Sequence, residues 1–260
     1  MKVTKNLLIA GLMGLAVSSF SGLAHNHGDH VSSDLKSLVK QAQNADGRPE
    51  RDADRDRNRK PAETLAFFGL EPDMKVVELM PGGGWYTRIL APVLHKKGDY
   101  YVALGTSRVE KNLIGQAPFD KINVVAKDAK IWREEGAKLY SLEMSNYGVT
   151  DADMVLTFRN YHNFGEEGRK AMNDAAFKAL KSGGIYGVVD HTARHMEPFN
   201  DSNRRRFDPV KAILEIQAAG FEFVGFSNLH YREDDELEYE VGARSVTGNT
   251  DRWTLKFKKP

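Results

Sequence analysis

Val76-Val77-Glu78-Leu79-Met80-Pro81-Gly82-Gly83-Gly84-Trp85-Tyr86-Thr87 is the stretch whose reading decides the fold of this 260-residue chain. An apolar run meets an acidic residue, then three consecutive glycines, then a helical pattern over Tyr86–Leu94. Glycines at such a junction let the backbone approach a ligand closely. The free N–H groups of a helix start can then hold a carboxylate or a phosphate. A tight turn that needs glycine for steric reasons alone has the same composition, so the surroundings must separate the two.

The surroundings are short apolar runs alternating with helical patterns. The runs are Lys75–Leu79, Tyr100–Leu104, Ile122–Ala126, Met154–Phe158, Ile185–Val189, Phe221–Phe226 and Trp253–Phe257. Helical patterns are clearest at Tyr86–Leu94, Glu166–Leu180 and Pro209–Ala219, and Gly183-Gly184 is expected to end the second of these. Nearly continuous apolar strands alternating with helices predict a parallel sheet covered on both faces. Residues 228–251 are polar and acidic and break the alternation. They read as a long connection, which makes the last two strands an antiparallel pair at one edge. The expected fold is therefore α/β: a Rossmann-like, doubly wound, seven-stranded sheet, mostly parallel with one antiparallel edge strand, and helices on both faces.

The start of the chain reads as a targeting segment. Lys2 and Lys5 give a positive beginning, and Leu7–Val17 is an apolar run too short to span a bilayer. Gly22-Leu23-Ala24 places small residues where signal peptidase reads, so residues 1–24 are expected to be a signal peptide cut after Ala24. The alternative is an uncleaved anchor. No cysteine follows the run, which excludes a lipoprotein. Residues 25–47 read as a flexible polar lead-in, with a weak helical pattern at Leu35, Leu38 and Val39, and residues 48–260 as the α/β domain. The mature protein is then expected in the periplasm or outside the cell. No later segment approaches the length of a membrane span.

Cleavage removes Lys2 and Lys5 and takes the formal charge from +1 to −1. A chain so near neutrality lacks the basic excess of a nucleic-acid partner. With no cysteine, disulfides and cysteine-bound zinc are excluded. Arg48–Lys60 (RPERDADRDRNRK) alternates charge signs and reads as a solvated helix face stitched by opposite charges. After it, Pro61 sits in the first turn of a helix whose apolar face includes Leu65 and Phe68.

PAETLAFFGL (61–70), VVELMPGGGWYT (76–87), LTFRNYHNF (156–164), LKSGGIYGVVDH (180–191) and TDRWTLKFKKP (250–260) together carry a family resemblance. From about Arg48 to Pro260 the chain resembles class I S-adenosylmethionine (SAM)-dependent methyltransferases. It is most similar to a bacterial group of predicted methyltransferases, many with signal peptides. The resemblance implies SAM as cofactor and a loop at Pro81, Gly82, Gly83 and Gly84. In the family an acidic residue precedes glycines at the second, fourth and sixth positions. Glu78, Gly82 and Gly84 match, and Met80 departs. By resemblance Gly82 and Gly84 face the methionine part of SAM, and Asp128 stands near the adenine amino group. Arg159 lies where cofactor and substrate meet. The family's acidic residue after the second strand is missing: Ala103-Leu104-Gly105-Thr106 stands there, leaving Thr106 or Ser107 as a weaker partner for the ribose. The dinucleotide-binding G-x-G-x-x-G spacing is absent too.

Methyl transfer asks for alignment and, for some acceptors, removal of a proton. His162 and His191 are the candidate bases because imidazole titrates near neutrality. Asp190 is a candidate to orient His191 or to act itself, and Asn160 and Arg159 to position a substrate oxygen. Each histidine could equally be a strand-end residue bonded to backbone. Trp85 and Tyr86 could wall the pocket or simply pack. A small-molecule acceptor is the expected substrate. Two other functions remain open: a ligand-binding protein on a methyltransferase scaffold without catalysis, and a metal-handling protein. The second rests on His25-Asn26-His27-Gly28-Asp29-His30. Cleavage after Ala24 would put a histidine third from a free amine, an arrangement that binds Cu(II) or Ni(II) in a square plane.

Overall fold

The polar stretch before the glycine loop is helical over much of its length. The computed structural model describes residues 33–260. Four helices come first: α1 (Ser33–Gln43), α2 (Glu50–Ala53), α3 (Asp56–Arg59) and α4 (Pro61–Phe68). The signal segment and the His25–His30 stretch lie outside the described residues. From Ser33 onward the flexible lead-in expected over 25–47 needs correcting. Leu35, Val39 and Ala42 fall on one face of α1 and are buried against α4 and the helix after the glycine loop. The charged run is corrected as well. It forms two single-turn helices rather than one solvated face, and Asp52 and Arg59 are buried.

β1 (Lys75–Leu79) leads through the glycine loop into α5 (Thr87–Leu94), then come β2 (Asp99–Ala103), α6 (Ser107–Asn112) and β3 (Asn123–Val125). A small antiparallel ribbon, β4 (Lys130–Trp132) and β5 (Ser141–Glu143), follows. The sequence gives no apolar run there, because each strand is three residues long and Leu142 is the only one of the six that is buried. β6 (Ala152–Phe158), α7 (Glu166–Ala179), β7 (Leu180–His191), α8 (Pro209–Ala218), β8 (Glu222–Ser227) and β9 (Arg252–Lys258) complete the chain.

The sheet has seven strands in the order β3-β2-β1-β6-β7-β9-β8. β1 pairs in parallel with β2 on one side and β6 on the other. β9 runs antiparallel to both β7 and β8, so the antiparallel pair β8–β9 closes one edge. Residues 228–251 connect that pair without helix or strand. Four of five residues of β1 and six of seven of β6 are buried, which is why both read as unbroken apolar runs. One face packs against α1, α4 and α5, the other against α7 and α8. Fully buried side chains such as Leu65, Phe68 and Ile89 each contribute roughly 1.5–3 kcal/mol through lost water contact.

Gly183-Gly184 does not cap α7 as expected. The helix passes directly into β7 at Leu180, and the register jumps from Ala152↔Leu180 to Met154↔Ile185. Gly183, with φ 78°, absorbs that bulge. Among the described residues no helix is long and apolar enough to cross a membrane.

The direction of winding reverses between β1 and β6. In an open α/β sheet the crevice beside such a switch point, at the carboxyl ends of the strands, is where ligands bind.

Candidate active site

β1 delivers Pro81, Gly82 and Gly83 to a cavity of about 440 Å³ at this switch point. Gly82 has φ 57°, a left-handed turn that swings the chain from the strand toward α5. Gly83 has open space where a Cβ would stand, whereas Gly84 does not. A Cβ on Gly84 would lie 2.7 Å from Leu113 Cδ1, and Gly84 does not line the cavity. The expectation that Gly84 faces a ligand is thereby corrected: it lets the loop pack closely on Leu113 and Val109.

Glu78 sits beneath the loop. Its carboxyl accepts hydrogen bonds from the Thr87 and Tyr100 hydroxyls, tying β1 to α5 and β2. Burial pushes it up to about 7, against the opposing pull of those hydrogen bonds and of Arg59. Trp85, Tyr86 and Phe158 form an aromatic wall, with Tyr86 stacked on Phe158 at a centroid distance of 3.5 Å.

β6 and β7 bring the remaining expected residues. The Asp190 carboxylate, fully buried, accepts from His162 Nδ1 at 2.6 Å, from the His162 amide at 2.9 Å and from the His191 amide at 2.7 Å. It therefore orients His162, not His191 as expected, and with Nδ1 so engaged Nε2 is the ring nitrogen left to the cavity. His191 Nδ1 lies 2.8 Å from Thr250 Oγ1. Burial, then the charges of Arg252, His162, Arg159 and Arg206, hold His191 well below the usual imidazole range. It is neutral and a poor base. Asn160 is less free than expected: its amide donates to the Met80 and Phe158 carbonyls, bracing the ends of β1 and β6 against each other.

Two expected cofactor residues lie elsewhere. Thr106, whose hydroxyl donates to Glu110, lines a second cavity of about 260 Å³ with Leu104, Gly105, Lys127 and Ala129. Asp128 is exposed and lines neither cavity, because the turn after β3 presents its neighbours instead. Met80 stands between the two spaces: a Cβ on Gly105 would lie 3.2 Å from its Sδ.

The charged run supplies what sequence reasoning missed. Arg51, Asp52, Arg55 and Arg59 line the switch-point cavity, joined by Arg108, Arg159 and Arg205. Arg59 is 5% exposed, with its guanidinium 4.4 Å from the Trp85 ring centroid. Burial, then the nearby Arg159 charge, brings it down to about 8. A clue was present in the spacing. Arg48, Arg51, Arg55 and Arg59 recur at helical intervals, a like-charge stripe that is unfavourable unless something compensates it. Arg48 is compensated by a bidentate pair with Asp56.

The architecture around this site is that of SAM-dependent methyltransferases. Over 86% of this chain and 97% of its own, a SAM-dependent methyltransferase from Aquifex aeolicus superposes with a TM-score of 0.52 at 13% identity. The glycopeptide N-methyltransferase MtfA in complex with SAM gives 0.52 at 14% identity, over 78% of this chain and 94% of that one. The [4+2]-cyclase SpnF gives 0.50 at 12% identity, over 87% and 93%. At these identities the likeness establishes the fold, and the site must argue the chemistry. The sequence matches no family model and no curated protein.

Proposed function

We propose that this protein is an exported SAM-dependent methyltransferase acting on a small molecule. The observation that carries the reading is that the Pro81–Gly83 loop and His162, whose ring the buried Asp190 holds, border one cavity at the switch point. The likeness to SAM-dependent methyltransferases, one of them a SAM complex, supports SAM as the cofactor.

The residues present fit SAM unevenly. The open space over Gly83 and the loop beside it suit the amino-acid end. The second cavity offers the nucleoside end Thr106, the backbone at Gly105 and the Glu110 carboxylate, which is not at the end of the second strand and already accepts from the Thr106 hydroxyl. A ligand spanning both spaces displaces the Met80 side chain, which an unbranched thioether permits at low cost.

Bound there, SAM would supply an electrophilic methyl group. The chain's own work is to place the acceptor and manage its proton. Asp190 fixes the His162 ring with Nδ1–H toward the carboxylate, so Nε2 takes the proton from the acceptor. Titration of the purified protein with SAM tests the cofactor. Micromolar affinity is expected, and no heat at millimolar SAM overturns the reading. In the working enzyme, His162→Gln is expected to slow methyl transfer by about 10²–10⁴-fold while SAM affinity holds.

Met80 favours one other reading. If its side chain stays wedged against Gly105, the protein is a ligand-binding scaffold without catalysis, and SAM titration separates the two.

A further inference from the structure

Two guanidiniums lining the switch-point cavity, Arg59 buried and Arg159 half-buried, have no anion to answer them. Neither the Arg59 nor the Arg159 side chain makes a hydrogen bond or ion pair among the described residues, and Arg59 Nη1 is wholly buried without an acceptor. Arg159 feels the field of Asp190, but that carboxylate is already engaged by His162 and the His191 amide. Arg51, Arg55, Arg108 and Arg205 surround them. Among the described residues, the only carboxyls lining the cavity are Asp52, which accepts from Arg88, and the hydrogen-bonded Glu78. Buried charges persist in proteins when paired, and a bound anion would supply the partner that the chain does not.

We propose that Arg59 and Arg159 form the anchor of a binding site for the phosphate group of a small soluble phosphate ester. A single carboxylate answers one guanidinium. A phosphate dianion answers two and offers three acceptor oxygens to their forked donors. The cavity volume of about 440 Å³ suits a small molecule. That this ester is the methyl acceptor rests on the methyltransferase reading, whereas the anion site itself does not.

The test is calorimetric titration of the purified protein, without SAM, using inorganic phosphate, pyrophosphate, glycerol 3-phosphate and acetate. Phosphate-type probes are expected to bind at least tenfold more tightly than acetate; equal affinities overturn the proposal. Binding to phosphatidylglycerol vesicles but not to glycerol 3-phosphate overturns the soluble-ester assignment. Saturating SAM should leave pyrophosphate affinity unchanged. Competition between them would assign the arginines to the cofactor's carboxylate and overturn the proposal. Arg59→Met is expected to abolish phosphate binding while raising the melting temperature of the free protein, since a purely structural arginine would lower it. Arg159→Gln, in a cavity residue that stays partly exposed, should weaken binding tenfold or more with the fold retained.

Discussion

Gly83 and Gly84 are neighbours with opposite duties, and substitution should separate them. Gly83→Val adds its side chain to open space at a residue without positive φ, so stability should change by only about 0.5 kcal/mol while SAM titration shows lost binding. Gly84→Ala drives a methyl group into Leu113 at a residue with φ 82°, so chemical denaturation should show a loss of about 1–3 kcal/mol. Glu78 carries a pH signature. Its folded value of about 7 exceeds the ordinary 4.5, so the folded state holds a proton that the unfolded chain releases earlier. This contribution is complete below pH 4.5 and is lost as pH rises through about 7. Melting temperatures of Glu78→Gln, measured from pH 4.5 to 7.5, should fall less steeply than those of the wild type. That Gly82, Gly83, Glu78 and His162 line one cavity was legible at this scale, because their residue types are tied to a strand–helix junction or to proton transfer; Gly84 was read into the same cavity and instead packs on Leu113. Arg59 was not, because alternating charges in a sequence look the same on a solvated helix as around a buried cavity.

β1 was legible to the residue, since a strand buried on both faces writes an unbroken apolar run. The other main-sheet strands were foreseen with ends shifted by a few residues. β4 and β5 were invisible because little apolar surface is buried there. α1 was read as lead-in because three buried residues among polar ones make a weak pattern. The connection over 228–251 was legible only as irregular chain. What holds it is a long-range pair, Arg206 with Asp235, bidentate at 2.9 Å and almost wholly buried. Asp235→Ala strands the Arg206 charge and removes the acceptor for the Leu237 and Asp251 amides. Urea unfolding should register a loss of about 3–5 kcal/mol. The same connection brings His230 to the end of α3, where its Nε2 donates to the Arg59 carbonyl while Thr254 satisfies Nδ1. The segment that looks least structured thereby fixes the backbone of the most buried arginine in the site.

For the molecule as a whole, near-neutral charge hides a strong local concentration. Six arginines meet at one cavity in a chain of net charge +1, so its attraction for anions is focused and short-ranged at physiological salt. If the amino-terminal segment directs export as proposed, the intact mass of the protein recovered from the periplasm should correspond to a chain beginning at His25. Retention of residues 1–24 would contradict a cleaved signal. The position of β9 bears on how such a chain acquires its shape. β8 leaves the ribosome first yet lies outside β9, and its hydrogen-bonding neighbour does not exist until some two dozen further residues have been synthesised. The sheet cannot zip up in the order in which it is made. On the export reading proposed above, a nascent chain whose sheet edge waits for β9 stays threadable for longer, which would suit passage through a narrow translocation pore before folding.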